Sequence, residues 1–188
     1  MRFSTVLIAT SALALAACGD SETTVDDPSD PEQLAAASEN LPTPQPGEYR
    51  TTGTLVEFDL PGAPAEEVEM MRGFMEMGAA QTQTMCITEE QAEKGFDDFL
   101  SAMQDLPDDC AFSEFTVSGD MLDATMSCDD NSGSSGTVHF AGTVTETSQD
   151  MTVSMDMNDA TQGRAMRMVI RNQTERVGDC SAESEAAG

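Results

Sequence analysis

Leu122-Asp123-Ala124-Thr125-Met126-Ser127-Cys128 alternates apolar or small residues with polar ones, without a break. A strand projects successive side chains to opposite faces, so Leu122, Ala124, Met126 and Cys128 share one face and Asp123, Thr125 and Ser127 the other. Outward from this run the pattern repeats. It recurs in Val138, Phe140 and Val144, in Met151, Val153, Met155 and Met157, and in Met166, Met168 and Ile170. Upstream, Val56, Phe58 and Leu60 read as a further strand face. Turn-forming stretches at 118–120, 129–136, 146–150 and 158–163 separate the runs. Half-buried strands joined by short loops predict an antiparallel meander with one wet face.

Two segments carry helical spacing instead. Thr88-Glu89-Glu90-Gln91 is a capping box, after which Ala92, Phe96, Phe99, Leu100 and Met103 fall on one stripe. A weaker helix is expected over Ala65 to Gly78, with Met70, Phe74 and Met77 or Met71 and Met75 sharing a face. The expected class is therefore α+β, dominated by β. The expected architecture is a curved antiparallel β-meander or half-barrel with one amphipathic helix packed on its concave side.

The chain has 188 residues with 35 Asp and Glu against 8 Lys and Arg, a net charge of −27. Binding a phosphate backbone needs clustered cations, so no nucleic-acid partner is expected. An electrostatic hold on anionic lipid is excluded on the same ground.

The first residues set an address. Arg2 precedes an apolar or small run from Val6 to Ala17, too short to span a bilayer. It reads as a signal peptide over 1–17. It ends Leu15-Ala16-Ala17-Cys18, which resembles a bacterial lipobox. That resemblance implies cleavage before Cys18, diacylation of its sulfur, and a palmitate-type chain on the new amino terminus. Several acyl chains anchor firmly where one holds marginally. The expected protein is thus a periplasm-facing lipoprotein of the cell envelope. Gly19 replaces the Asp of the inner-membrane retention signal, although Asp20 follows, and this points to the outer membrane.

Residues 18–45 are acidic and rich in Pro, and read as a disordered tether holding the domain roughly 30 Å from the membrane. A short helix through Pro31 to Ala37 would be marginal alone. Residues 46–180 read as one globular domain, and 181–188 as a disordered tail.

Cleavage would leave Cys86, Cys110, Cys128 and Cys180, an even number in an exported chain, which favours two disulfides. The expected pairing is Cys86–Cys110 and Cys128–Cys180, because the first would clip a helix to the strand after it. No Cys-x-x-Cys pair suggests zinc or redox chemistry.

Short motifs then resemble one family. Pro46-Gly47-Glu48-Tyr49, Met85-Cys86-Ile87-Thr88, Cys110, Cys128 and Arg176-Val177-Gly178-Asp179-Cys180 are similar, over Gly47 to Cys180, to the proteobacterial domain-of-unknown-function family numbered 3617. Tyr49 stands where such proteins often have Trp. The resemblance implies a fold and an envelope address; the family has no assigned activity, so no site residue is transferred.

Methionine is over-represented, at 14 residues, with Met-x-Met pairs at Met75/Met77, Met155/Met157 and Met166/Met168. Thioethers select Cu(I), and Met155, Met157, Met166 and Met168 lie on consecutive predicted strands, so a periplasmic Cu(I) carrier is one reading. Flexible methionines under a curved sheet equally suit a cavity for a hydrophobic ligand. Arg164, Arg167, Arg171 and Arg176 are expected to pair with neighbouring acids. His139 is placed on the wet face, and Asp129 to Gly133 reads as a turn, lacking the ligand spacing of a calcium loop. Nothing singles out a catalytic pair of carboxylates, and Gly-x-Ser-x-Gly is absent. The expected function is a non-catalytic binding module for a hydrophobic ligand or envelope protein, with no cofactor and the membrane reached through Cys18.

Overall fold

The computed structural model describes residues 22–96, 110–129, 133–161 and 163–181. The expected signal peptide, the lipid site at Cys18 and the tail beyond Ser181 lie outside the described residues. So do Phe99, Leu100 and Met103 of the expected helical stripe.

In chain order the elements are β1 (Glu22–Thr24), α1 (Pro31–Ser38), β2 (Gly47–Asp59), α2 (Ala65–Ala79), β3 (Gln83–Ile87) and α3 (Glu89–Lys94). These are followed by β4 (Cys110–Ser118), β5 (Met121–Asp129), β6 (Ser134–Val144), β7 (Ser148–Asp159) and β8 (Arg164–Gly178). The eight strands form one antiparallel sheet, ordered β1-β4-β5-β6-β7-β8-β2-β3. From β4 to β8 this is the meander read from the alternating runs. The long β2 returns beside β8, setting residues 47–59 against the last strand of the chain.

Cross-strand register lines the apolar side chains up in rows. One runs Leu55, Ile170, Val153, Phe140, Ala124, Phe115; the next runs Phe58, Met168, Met155, Val138, Met126, Phe112. The opposite face carries Asp123, Thr125, His139, Asp150, Asp156, Arg167 and Arg171. Val56 departs from the expected face. A bulge between Leu55 and Glu57 inserts it as an unpaired residue, so Val56 is 59% exposed while Phe58 is 2% exposed.

The sheet is strongly curled. A flat arrangement would hold β4 and β3 six strand spacings apart, about 29 Å. Phe112 and Phe115 of β4 nevertheless share one cleft with Met85 and Ile87 of β3.

The segment expected to be a tether is, from Glu22 onward, part of the fold. Thr23 pairs with Val117 at the sheet edge, and Asp30 caps α1 by accepting from the Glu32 N–H at 2.9 Å. Leu34, Ala37, Ser38 and Leu41 recur at i, i+3, i+4 and i+7 and are all buried. With Val25, these apolar residues pack against Phe112, Phe115, Val117, Leu122 and Val144. The Ser38 hydroxyl avoids an unpaired burial by donating to the Leu34 carbonyl at 2.8 Å. A helix too short to stand alone is thus held by the apolar face it covers.

α2 docks a half-buried side of Val68, Met71, Arg72, Met75 and Ala79 against β2. Arg72 donates to the Phe58 carbonyl, and the Ala79 carbonyl sits over Gly53. The reciprocal capping box expected at Thr88 is present at the start of α3, and Gly95, with φ +57°, ends that helix.

The disulfides are Cys86–Cys180 and Cys110–Cys128, not the expected pairing. Register decides this. Cys110 stands opposite Cys128 in the β4–β5 pair, and Cys86 lies across from Glu48, itself opposite Gly178. The expected Cys86–Cys110 bridge fails because each of these cysteines, both on strands, already has a different cysteine beside it in the sheet.

Candidate binding cleft

The first feature able to hold a ligand is a cleft of about 450 Å³ on the apolar face, within the range of small-molecule sites. Phe140, Ala124, Phe115 and Phe112 line one part of it, the last two as an edge-to-face pair with centroids 5.6 Å apart. Met85 and Ile87 of β3, and Phe96 just beyond α3, contribute further lining. Tyr49 lines it too; its hydroxyl lies 2.7 Å from the Gln45 carbonyl and 3.0 Å from that of Glu146. Burial pushes the Tyr49 phenol above its ordinary pKa, opposed by the nearby Arg176 charge and the hydrogen bond to Gln45.

At the β2–β8–β7 side the inward positions turn polar. Thr51, Thr174 and Gln149 form one cross-strand row, and Asn172 sits next along β8. The Thr51 and Thr174 hydroxyls are 2.9 Å apart. No Asp, Glu, Lys, Arg, His, Ser or Cys is among the described residues lining the cleft. These residues offer burial and neutral hydrogen bonds.

The four strand methionines lie on neighbouring strands β7 and β8, and none of them is among the residues lining the cleft, whose methionines are Met85 and Met151. Met155 stands opposite Met168 and Met157 opposite Met166, all on the apolar face. Gly136, lacking a side chain, faces Met157 from β6, and Met157 remains 53% exposed. Met75 and Met77 lie apart on α2: two helical residues are about 200° around the axis, so Met75 faces inward and Met77 outward. Met77, Met70 and Phe74 form an exposed apolar stripe on that helix.

On the polar face the arginines pair with acids. Arg167 meets Glu57 at 3.1 Å and Asp156 at 2.6 Å; Arg171 grips Asp150 through two contacts of 2.7 and 2.5 Å. The Arg171 hydrogen bonds hold the Asp150 carboxyl below the usual carboxylate range. Arg176 donates to the Pro46 carbonyl and to Asp179, both at 2.8 Å. His139 lies on this face, its Nε2 3.1 Å from Asp123. Among the described residues no cluster of three or more His, Cys, Asp and Glu could hold a metal, and no helix is long and apolar enough to cross a membrane. Asp130 to Ser132 of the expected turn lie outside the described residues.

Sequence reasoning missed the polar end of the cleft and all of its β4 lining. One signal was present: the inward series Met166, Met168, Ile170 continues in step into Asn172 and Thr174.

Three of the motifs that carried the family resemblance, around Gly47, Cys86 and Cys180, meet in one corner, while Cys110 and Cys128 pair across β4 and β5. At Gly47, φ is +150°, and a Cβ would sit 2.5 Å from both the Arg176 guanidinium and the Gly178 carbonyl, so only glycine fits. Glu48 lies between Cys86 and Gly178, beside the Cys86–Cys180 bridge. Gly47, Glu48 and the Cys86–Cys180 bridge close the fold here, while Tyr49, Met85 and Ile87 of the same motifs turn into the cleft. A family model described as a protein of unknown function, DUF3617, matches residues 44–180. No curated protein and no solved structure matches the chain.

Proposed function

The chain belongs to the DUF3617 family, and from that premise, which brings no activity with it, we propose that it is a lipid-anchored envelope protein that works by binding a hydrophobic ligand in the cleft. The carrying observation is that the 18 described residues lining the cleft hold no charge, in a chain of net charge −27. Keeping an apolar cleft clear of ions in so acidic a chain favours apolar occupants, because an unpaired charge brought there loses its hydration.

Titration with a neutral naphthylamine dye tests the reading. Wild-type protein is expected to bind it saturably, and Val153→Trp, which fills the cleft, to bind it poorly while keeping its fold. Equal binding by the folded variant would refute the proposal. The anchor is tested separately: mature protein should begin at an acylated Cys18, and Cys18→Ser should appear in the soluble periplasmic fraction. The outer membrane is the expected home, with Gly19 after the modified cysteine supporting it.

The two facing methionine pairs favour a second reading, a Cu(I) carrier. Competition against a Cu(I) chelator decides it; a Met155→Leu, Met157→Leu variant that competes as well as wild type would remove it.

A further inference from the structure

The polar row within the cleft carries more than a preference for grease. Gln149 and Thr174 face each other across β7 and β8, Thr51 continues the row on β2, and Asn172 is the next inward residue. Gln149 and Asn172 are both half-buried, and their side chains line the cleft. Each amide offers two donors and an acceptor, and the threonine hydroxyls offer both roles. From this row Val153, Phe140, Ala124 and Phe115 lead away across the sheet. Followed along the curled sheet, the path from β8 to β4 crosses four strand spacings, about 19 Å, enough for a medium-length alkyl chain.

From this arrangement, and resting on the cleft reading above, we infer that the ligand is a neutral amphiphile. Its uncharged, hydrogen-bonding head, an amide or hydroxyl, sits on Gln149, Asn172 and Thr174, and its alkyl tail lies along Val153 and Phe140. A carboxylate head would meet no cation among the described lining residues. An ammonium head would find no carboxylate among them. Either ion would be stripped of water uncompensated. A neutral amide exchanges hydrogen bonds with water for hydrogen bonds with the row, at little cost. The cleft thus selects against free fatty acids and for their neutral derivatives.

Displacement of the bound dye by dodecanamide, dodecanol, laurate and dodecylammonium tests this on the full mature chain. Measurements at about 0.5 M salt screen the surface charge to within a few ångströms, so general repulsion of laurate does not mimic the effect. Dodecanamide and dodecanol should each displace the dye at least about tenfold more tightly than either ion. Gln149→Arg should invert the order, favouring laurate over dodecanamide. Laurate equal to dodecanamide in the wild type would overturn this inference while leaving the cleft reading intact. Dye and probes that all fail to bind would overturn both.

Discussion

Cys110 and Cys128 stand directly opposite each other in the β4–β5 register, 4.0 Å between Cα atoms, so their bridge closes a connection the hairpin already makes. Cys86 and Cys180 instead join positions 94 residues apart. In the chain-entropy treatment the long loop contributes more, about 4.7 kcal/mol against about 3 for the short one. Guanidinium unfolding of the two double-alanine variants should rank them in that order. A larger loss on removing Cys110 and Cys128 would contradict it.

Leu34 separates a core helix from a passive leash. It is 8% exposed and packed in the central cluster, so Leu34→Ala should cost about 2–5 kcal/mol. Substitution in a disordered tether would leave stability within about 0.5 kcal/mol. Equilibrium unfolding distinguishes the two.

Acid sensitivity follows from Asp150. Its carboxyl is held below the ordinary value of 3.8 by Arg171, and that of Asp30 by the Gln33 side chain and the Glu32 N–H. A group whose folded pKa is depressed contributes stability above its unfolded value and loses it as pH falls through the folded one. Thermal midpoints should therefore drop below about pH 4, and Asp150→Asn should flatten part of that fall. Parallel pH profiles for the two proteins would refute the assignment.

Gly53 is the seat of α2. A Cβ there would lie 2.6 Å from the Ala79 carbonyl and 3.1 Å from Asn172 Oδ1. Gly53→Ala should cost about 1–3 kcal/mol and lift the end of the helix. Faster proteolysis within 65–79, read by mass spectrometry, checks this; unchanged cleavage would count against it.

The strands from β5 to β8 were legible because one wet face imposes strict alternation on their residues. α1 was not, although Leu34, Ala37, Ser38 and Leu41 have helical spacing. Two of those four are small, and the surrounding acids and prolines resemble a leash by composition. The disulfide partners were illegible for another reason: strand order and register are properties of the assembled sheet, and spacing along the chain does not encode them. A cavity under the sheet was legible, but its lining was not, for the same reason, since it spans β2 to β8. Its apolar half belonged to recognised strand faces. Its hydrogen-bonding half looked like the fading end of one.

The position of β1 has a mechanical consequence. If Cys18 carries the lipid, only four residue steps separate it from Glu22, at most about 14 Å of slack. The sheet edge formed by β1 would then ride close to the headgroups. The protein would lean on the bilayer like a moored hull, swinging little, and any amphiphile leaving the lipid would have a short way to travel.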